Sequence, residues 1–238
     1  MTAIQRNHGM LNDIDLHEVR YLFRLKDKWS AITHFCGFVL SVFAAPVLMI
    51  RGAEMAASKA SMISFMIYIL SMIILYGASS AYHSFNISEK GNLILKKIDH
   101  TSIFLLIAGT YTPVCITALK GTYGKILLAV IWLIAAGGIL FKLCWVTCPK
   151  WVSSVMYTVM GWTCLFILPQ LLKALPVQAF AWLLAGGLFY TAGAVIYASK
   201  PRIFRNPEFG PHEVFHCFVL AGSLCHFILM FRYLALFG

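Results

Sequence analysis

Near the carboxyl end the chain reads Pro211-His212-Glu213-Val214-Phe215-His216 and then stays apolar to Leu236. On a helix, residues four apart share one face, so His212 and His216 project side by side in the first two turns of a long apolar run. Imidazoles facing lipid are costly and at membrane depth need a partner or a wet cavity. A second histidine-bearing stretch, Ser79-Ser-Ala-Tyr-His83, closes an earlier apolar run, and Asp99-His100 opens the next one. His83, His212 and His216 form a candidate set of three ligands for one metal ion, zinc being the expected one. Three neutral imidazoles bind zinc and leave a fourth position open, the arrangement of catalytic rather than structural sites. Asp99 and Ser79, the latter one turn from His83, are the candidate catalytic groups beside them, able to hold water or to orient a ligand.

Each residue also has a plainer reading. A histidine at a span boundary is commonly an interfacial hydrogen-bonding residue, Ser79 can bond back to a helix carbonyl, and Asp99 can simply favour a helix amino terminus. A haem with two axial histidines is a rival use; two histidines on one helical face cannot approach a haem from opposite sides, though His83 paired with His212 could. His34, His100 and His226 are further histidines in or beside apolar runs and are placed outside the ligand set. Cys144 and Cys148 could offer two thiolates, yet a lone pair at that spacing is weak. The seven cysteines are scattered and odd in number, which is no disulfide framework.

The elements that must position these residues follow from composition. The chain has 238 residues, 60% of them hydrophobic and 12% charged, against about 25% charged in soluble domains; mean hydropathy is +0.79. Seven apolar runs lie at about 31–50, 60–83, 98–119, 123–142, 152–172, 178–198 and 212–236, each near the span a bilayer requires. The expectation is an all-α integral membrane protein: a cytoplasmic segment over residues 1–30, then one seven-helix bundle over 31–238. Residues 14–25 read as a short amphipathic helix on the membrane surface. No apolar leader precedes the first run, so that run is expected to act as its own insertion signal. Pro46, Pro113 and Pro169 fall inside runs, where they should kink helices, and the glycines of Ala136-Gly137-Gly138 and Ala185-Gly186-Gly187 should allow close packing.

A net charge of +10 raises the question of nucleic acid, but the basic residues sit in short loops between apolar runs. Roughly two thirds of the 19 Lys and Arg fall on the side of the amino terminus, which predicts a cytoplasmic amino terminus and an outside carboxyl terminus. That orientation, set by loop charge alone, brings His83, Asp99, His212 and His216 to one layer near the cytoplasmic boundary.

At these residues the chain resembles the progestin and adiponectin receptor family, most closely its bacterial hemolysin III branch. Ser79-Ser-Ala-Tyr-His83, the run from Lys97-Ile-Asp99-His100 to Pro113, and His212-Glu-Val-Phe-His216 with Gly222-Ser-Leu-Cys-His226 carry the likeness, joined by Gly138-Ile-Leu-Phe-Lys142 and Met160-Gly-Trp162. The resemblance implies seven helices, a cytoplasmic amino terminus, and zinc held by His83, His212 and His216 with Asp99 and Ser79 nearby. It also implies kinship with proposed membrane hydrolases that include alkaline ceramidases. The first-span element departs from the family pattern: Thr33 and His34 match, but Ser30 stands where Asn is usual and Asp27 is the one acid of the usual pair.

Three functions follow as expectations. The first is a zinc-dependent intramembrane hydrolase of lipid amides or esters, taking lipids of the inner leaflet in the cell's inner (plasma) membrane, with Asp99 as general base or proton shuttle. The second is a non-enzymatic sensor or regulator of membrane homeostasis in which zinc merely clamps helices. The third is a hemolysin-type pore former, against which stands the lack of a polar stripe on any span. No nucleic-acid partner is expected, and the sequence does not specify an oligomeric state.

Overall fold

A computed structural model describes residues 25–237 apart from 205, 207 and 208. The expected surface helix over 14–25 lies almost wholly outside the described residues. The described chain is helical, with α1 (Lys28–Glu54), α2 (Lys59–Ser84), α3 (Glu89–Pro113), α4 (Thr122–Cys144), α5 (Lys150–Gly161), α6 (Leu168–Ala174), α7 (Val177–Ser199) and α8 (Pro211–Arg232). Seven helical segments are long and apolar enough to cross a membrane, α5 and α6 together forming the fifth. The protein is a seven-helix membrane protein.

Local chemistry sets the helix ends. Ser58 and Ser88 cap α2 and α3, their hydroxyls accepting from the amides of Ser61 and Gly91 at 3.2 and 3.1 Å. Pro46 sits within α1. After Pro113 the chain widens into a π-helical turn, Val114–Ala118, where Thr117 Oγ1 donates to the Pro113 carbonyl at 2.7 Å. The fifth span tightens to a 3-10 stretch, Trp162–Ile167, and restarts as α6 with Pro169 in its first turn. The kink expected at Pro169 is therefore a break that begins several residues upstream.

Consecutive spans run antiparallel, and α8 returns to pack on α7 and α1, closing the bundle. Its core is built around Phe65, Tyr68, Tyr76 and Leu229, all at most 1% exposed. Leu133 and Phe166, at 72% and 89% exposure, face outward, the inverse of a soluble protein's surface. Close approach explains two glycines: a Cβ at Gly138 would enter the Phe104 ring, and one at Gly186 would enter the His226 ring, whereas Gly137 and Gly187 face open space.

Candidate metal centre

The antiparallel order brings the start of α1, the end of α2 and the starts of α3 and α8 to one end of the bundle. Just before α1 the backbone amide of Asp27 donates to the His83 carbonyl at 2.9 Å. That contact holds the Asp27 carboxylate against the last turn of α2, and Oδ2 lies 2.9 Å from His83 Nδ1. The hydrogen bond from His83 keeps the Asp27 carboxyl below the usual carboxylate range.

The first turn of α8 is fixed in a similar way. Glu213 Oε2 accepts from the Gly210 amide at 2.9 Å, and its Oε1 accepts from the Ser30 hydroxyl at 2.7 Å. Helix start and α1 are thereby joined through one carboxylate. One turn on, His216 Nδ1 lies 3.3 Å from the Ser30 carbonyl and 3.3 Å from Thr33 Oγ1. His34 stacks on the His216 ring at 3.6 Å between centroids and 8° between planes.

These contacts decide the tautomers. With Nδ1–H given to Asp27, His83 is left with a bare Nε2; with Nδ1–H given to the Ser30 carbonyl, so is His216. His83 Nε2 faces His212 Nε2 at 3.3 Å. Two facing lone pairs repel unless a proton or a cation lies between them. Candidate ligand atoms of His83, His212 and His216 all lie within 4.8 Å of one another, so the three could hold a metal ion. Nitrogens at tetrahedral angles and about 2.0–2.1 Å from zinc stand about 3.4 Å apart, close to the His83–His212 separation. His83 and His216 are 3% and 1% exposed, and the outward nitrogen of each is engaged by the protein, as ligating histidines generally are.

Beside the cluster opens a largely apolar cavity of about 400 Å³. His34, Ser79, Asp99, His100, His212 and His216 contribute to its wall at this end, and it continues past Trp162 to Leu183 and His226. Ten residues of α8 separate His216 from His226, a rise of about 15 Å. Ser79 is buried at 2%. Asp99 also lines the cavity but does not bond to the three histidines: its Oδ2 meets His100 Nδ1 at 3.0 Å. His226 sits at the deep end with Nε2 3.2 Å from the Leu183 carbonyl.

The structure thus brings His83, His212 and His216 together, and puts Ser79 and Asp99 on the wall of the neighbouring cavity. Asp27, Ser30 and Glu213 are the positioning residues that sequence reasoning missed. Asp27 carried a signal, as the surviving acid before the first span; nothing marked its partner 56 residues away. His34, left outside the ligand set, packs directly on one of its members.

A family model described as Haemolysin-III related matches residues 24–227. The protein called Hemolysin-3 homolog from Bacillus subtilis (strain 168) is 38% identical over 213 residues, covering 89% of this chain and 96% of its own. Hemolysin-3 from Bacillus cereus is 36% identical over 204 residues, 86% of this chain and 90% of its own. The human Monocyte to macrophage differentiation factor is 27% identical over 136 residues, 57% of this chain and 54% of its own.

Proposed function

The chain belongs to the haemolysin III-related family, and from that premise we propose that it is a zinc-dependent hydrolase of lipid amides or esters. It would act within the inner (plasma) membrane on lipids of the inner leaflet, with its amino terminus cytoplasmic. The observation that carries this reading is the convergence of the His83, His212 and His216 nitrogens beside an apolar cavity that His212 and His216 line. When bound, zinc would supply Lewis acidity toward the scissile carbonyl and toward water.

The chain's own residues do the rest. Asp27 keeps the His83 proton on Nδ1, and the Ser30 carbonyl does the same for His216, so that both rings offer Nε2 inward. Asp99 accepts the proton of the attacking water at its carboxylate and passes it to the leaving group. Its contact with His100 Nδ1 holds the carboxylate in place until substrate arrives. The Ser79 hydroxyl orients the carbonyl end of the lipid. The apolar cavity accepts an acyl chain and excludes bulk water from the reacting bond.

One observation favours a second reading, a zinc clamp in a non-enzymatic membrane sensor. Asp99 is engaged by His100 rather than turned toward the histidines. Purified protein assayed for zinc and for turnover of a panel of lipid amides and esters, ceramides included, separates the two. The expected outcome is that Asp99→Ala keeps its zinc and loses turnover. Retention of membrane-homeostasis function in a zinc-loaded Asp99→Ala protein would support the clamp, and full turnover in zinc-free His83→Ala/His216→Ala protein would overturn the hydrolase.

A further inference from the structure

The last turn of α4 holds Lys142, which stands at the end of the fourth apolar run of the sequence. It is 0% exposed. Its Nζ donates to Ser153 Oγ at 2.5 Å and to Cys148 Sγ at 3.0 Å, and the two acceptors are 3.4 Å apart. None of the ion pairs among the described residues involves Lys142. A buried ammonium without an anion is one of the most costly groups a protein can carry, and inside a membrane bundle it marks function.

The anion available to it is Cys148. This residue lies in the turn between α4 and α5, is 7% exposed, and stands two residues before the first turn of α5, where free amides favour negative charge. We propose that Lys142 and Cys148 form a buried ammonium–thiolate pair, which makes Cys148 a site of covalent modification by small soft electrophiles, hydroperoxides foremost. Burial opposes the thiolate, but hydrogen bonds from Ser153 and Lys142 outweigh it and hold the Cys148 thiol below its ordinary range. Lys96 adds positive charge from α3, while the hydroxyl-bearing rings of Tyr157 and Tyr197 lie near the pair on α5 and α7.

The step balances without an outside proton source. The Cys148 sulfur attacks the terminal oxygen of the hydroperoxide, forming an S–O bond as the O–O bond breaks. Sulfur is oxidised by two electrons and the peroxide is reduced. The departing alkoxide takes a proton from the Lys142 ammonium, giving a sulfenic acid, a neutral amine and an alcohol. Ser153, which shares Lys142 with Cys148, also lines the large cavity, so the modification reaches the cavity wall through one hydrogen bond.

The test uses the intact protein in detergent, with the exposed Cys144 of the same region as internal standard. Iodoacetamide is applied across pH, and peptide mass spectrometry reads the alkylation rate of each thiol. Cys148 is expected to reach its plateau below the ordinary thiol range of about pH 8.5. Hydrogen peroxide should yield a dimedone-trapped sulfenic acid at Cys148 and not at Cys144. Lys142→Met should move the Cys148 profile to higher pH and slow its reaction below neutrality about tenfold; should that variant fail to fold, the comparison within the parent protein already decides. Coincident pH profiles for the two thiols, or a Cys148 that stays unmodified in folded protein, would overturn the proposal.

Discussion

Two of the polar clusters inside this bundle, one around Ser223 and one around His216, differ in how completely they are satisfied. Around Ser223, Tyr76 donates to Oγ at 2.6 Å, Tyr190 meets the same oxygen at 2.9 Å, and Tyr68 donates to the Ser223 carbonyl at 3.4 Å. Every hydroxyl there has a protein partner. Around His216 the outward nitrogens of His83 and His216 are held, but the inward ones converge on one another, and His212 Nδ1 and both nitrogens of His34 have no hydrogen-bond partner. A closed network rigidifies a core. An open one, buried and expensive, is kept for something that binds there.

The sharpest way to break this contrast is to remove one inward nitrogen. His216→Ala should lose metal almost completely when the purified protein is analysed by elemental mass spectrometry, an effect larger than the 10–100-fold typical of a partner outside the ligands. Metal content equal to that of the parent would place the two clusters in one class. A smaller effect is expected at Asp27, whose carboxylate reaches the three-histidine set through His83 Nδ1. Asp27→Asn keeps the shape and removes the charge, and should weaken zinc about 10–100-fold in a chelator competition. An unchanged affinity would mean that the His83 tautomer is set without the acid.

The two clusters were also unequally legible in the sequence. Long apolar runs fix seven spans because a bilayer imposes length, and the observed helices overrun the expected ranges by only a few residues at most ends; α3 starts earlier, at Glu89. The pair His212 and His216 was legible because helix periodicity alone puts it on one face, and His83 because antiparallel spans equalise depth. The contact of Asp27 with His83 and the Glu213 link to Ser30 were not, since both depend on how helix ends meet across the bundle. The direction of Asp99 likewise follows from a neighbour, His100, whose rotamer no spacing rule fixes. Lys142 stands at the boundary of an apolar run in the sequence, and only packing shows it to be buried. The Tyr76–Ser223–Tyr190 network left no sequence mark, because tyrosines and serines in apolar runs pair through rotamers rather than periodicity.

The smallest effect is expected on the closed side. Ser223→Ala removes the oxygen that Tyr76 and Tyr190 share, but Tyr76 keeps the Val219 carbonyl at 3.4 Å, and Tyr68 bonds to the Ser223 backbone, which the substitution retains. Tyr190 alone loses its hydroxyl partner. The cost should therefore be about 1 kcal/mol, read as a modest fall in thermal stability of the detergent-solubilised protein, with zinc content unchanged. A loss of metal in Ser223→Ala would show the two clusters to be energetically joined along α8, from Ser223 to His216. Retained metal with lowered stability would confine Ser223 to holding helices together.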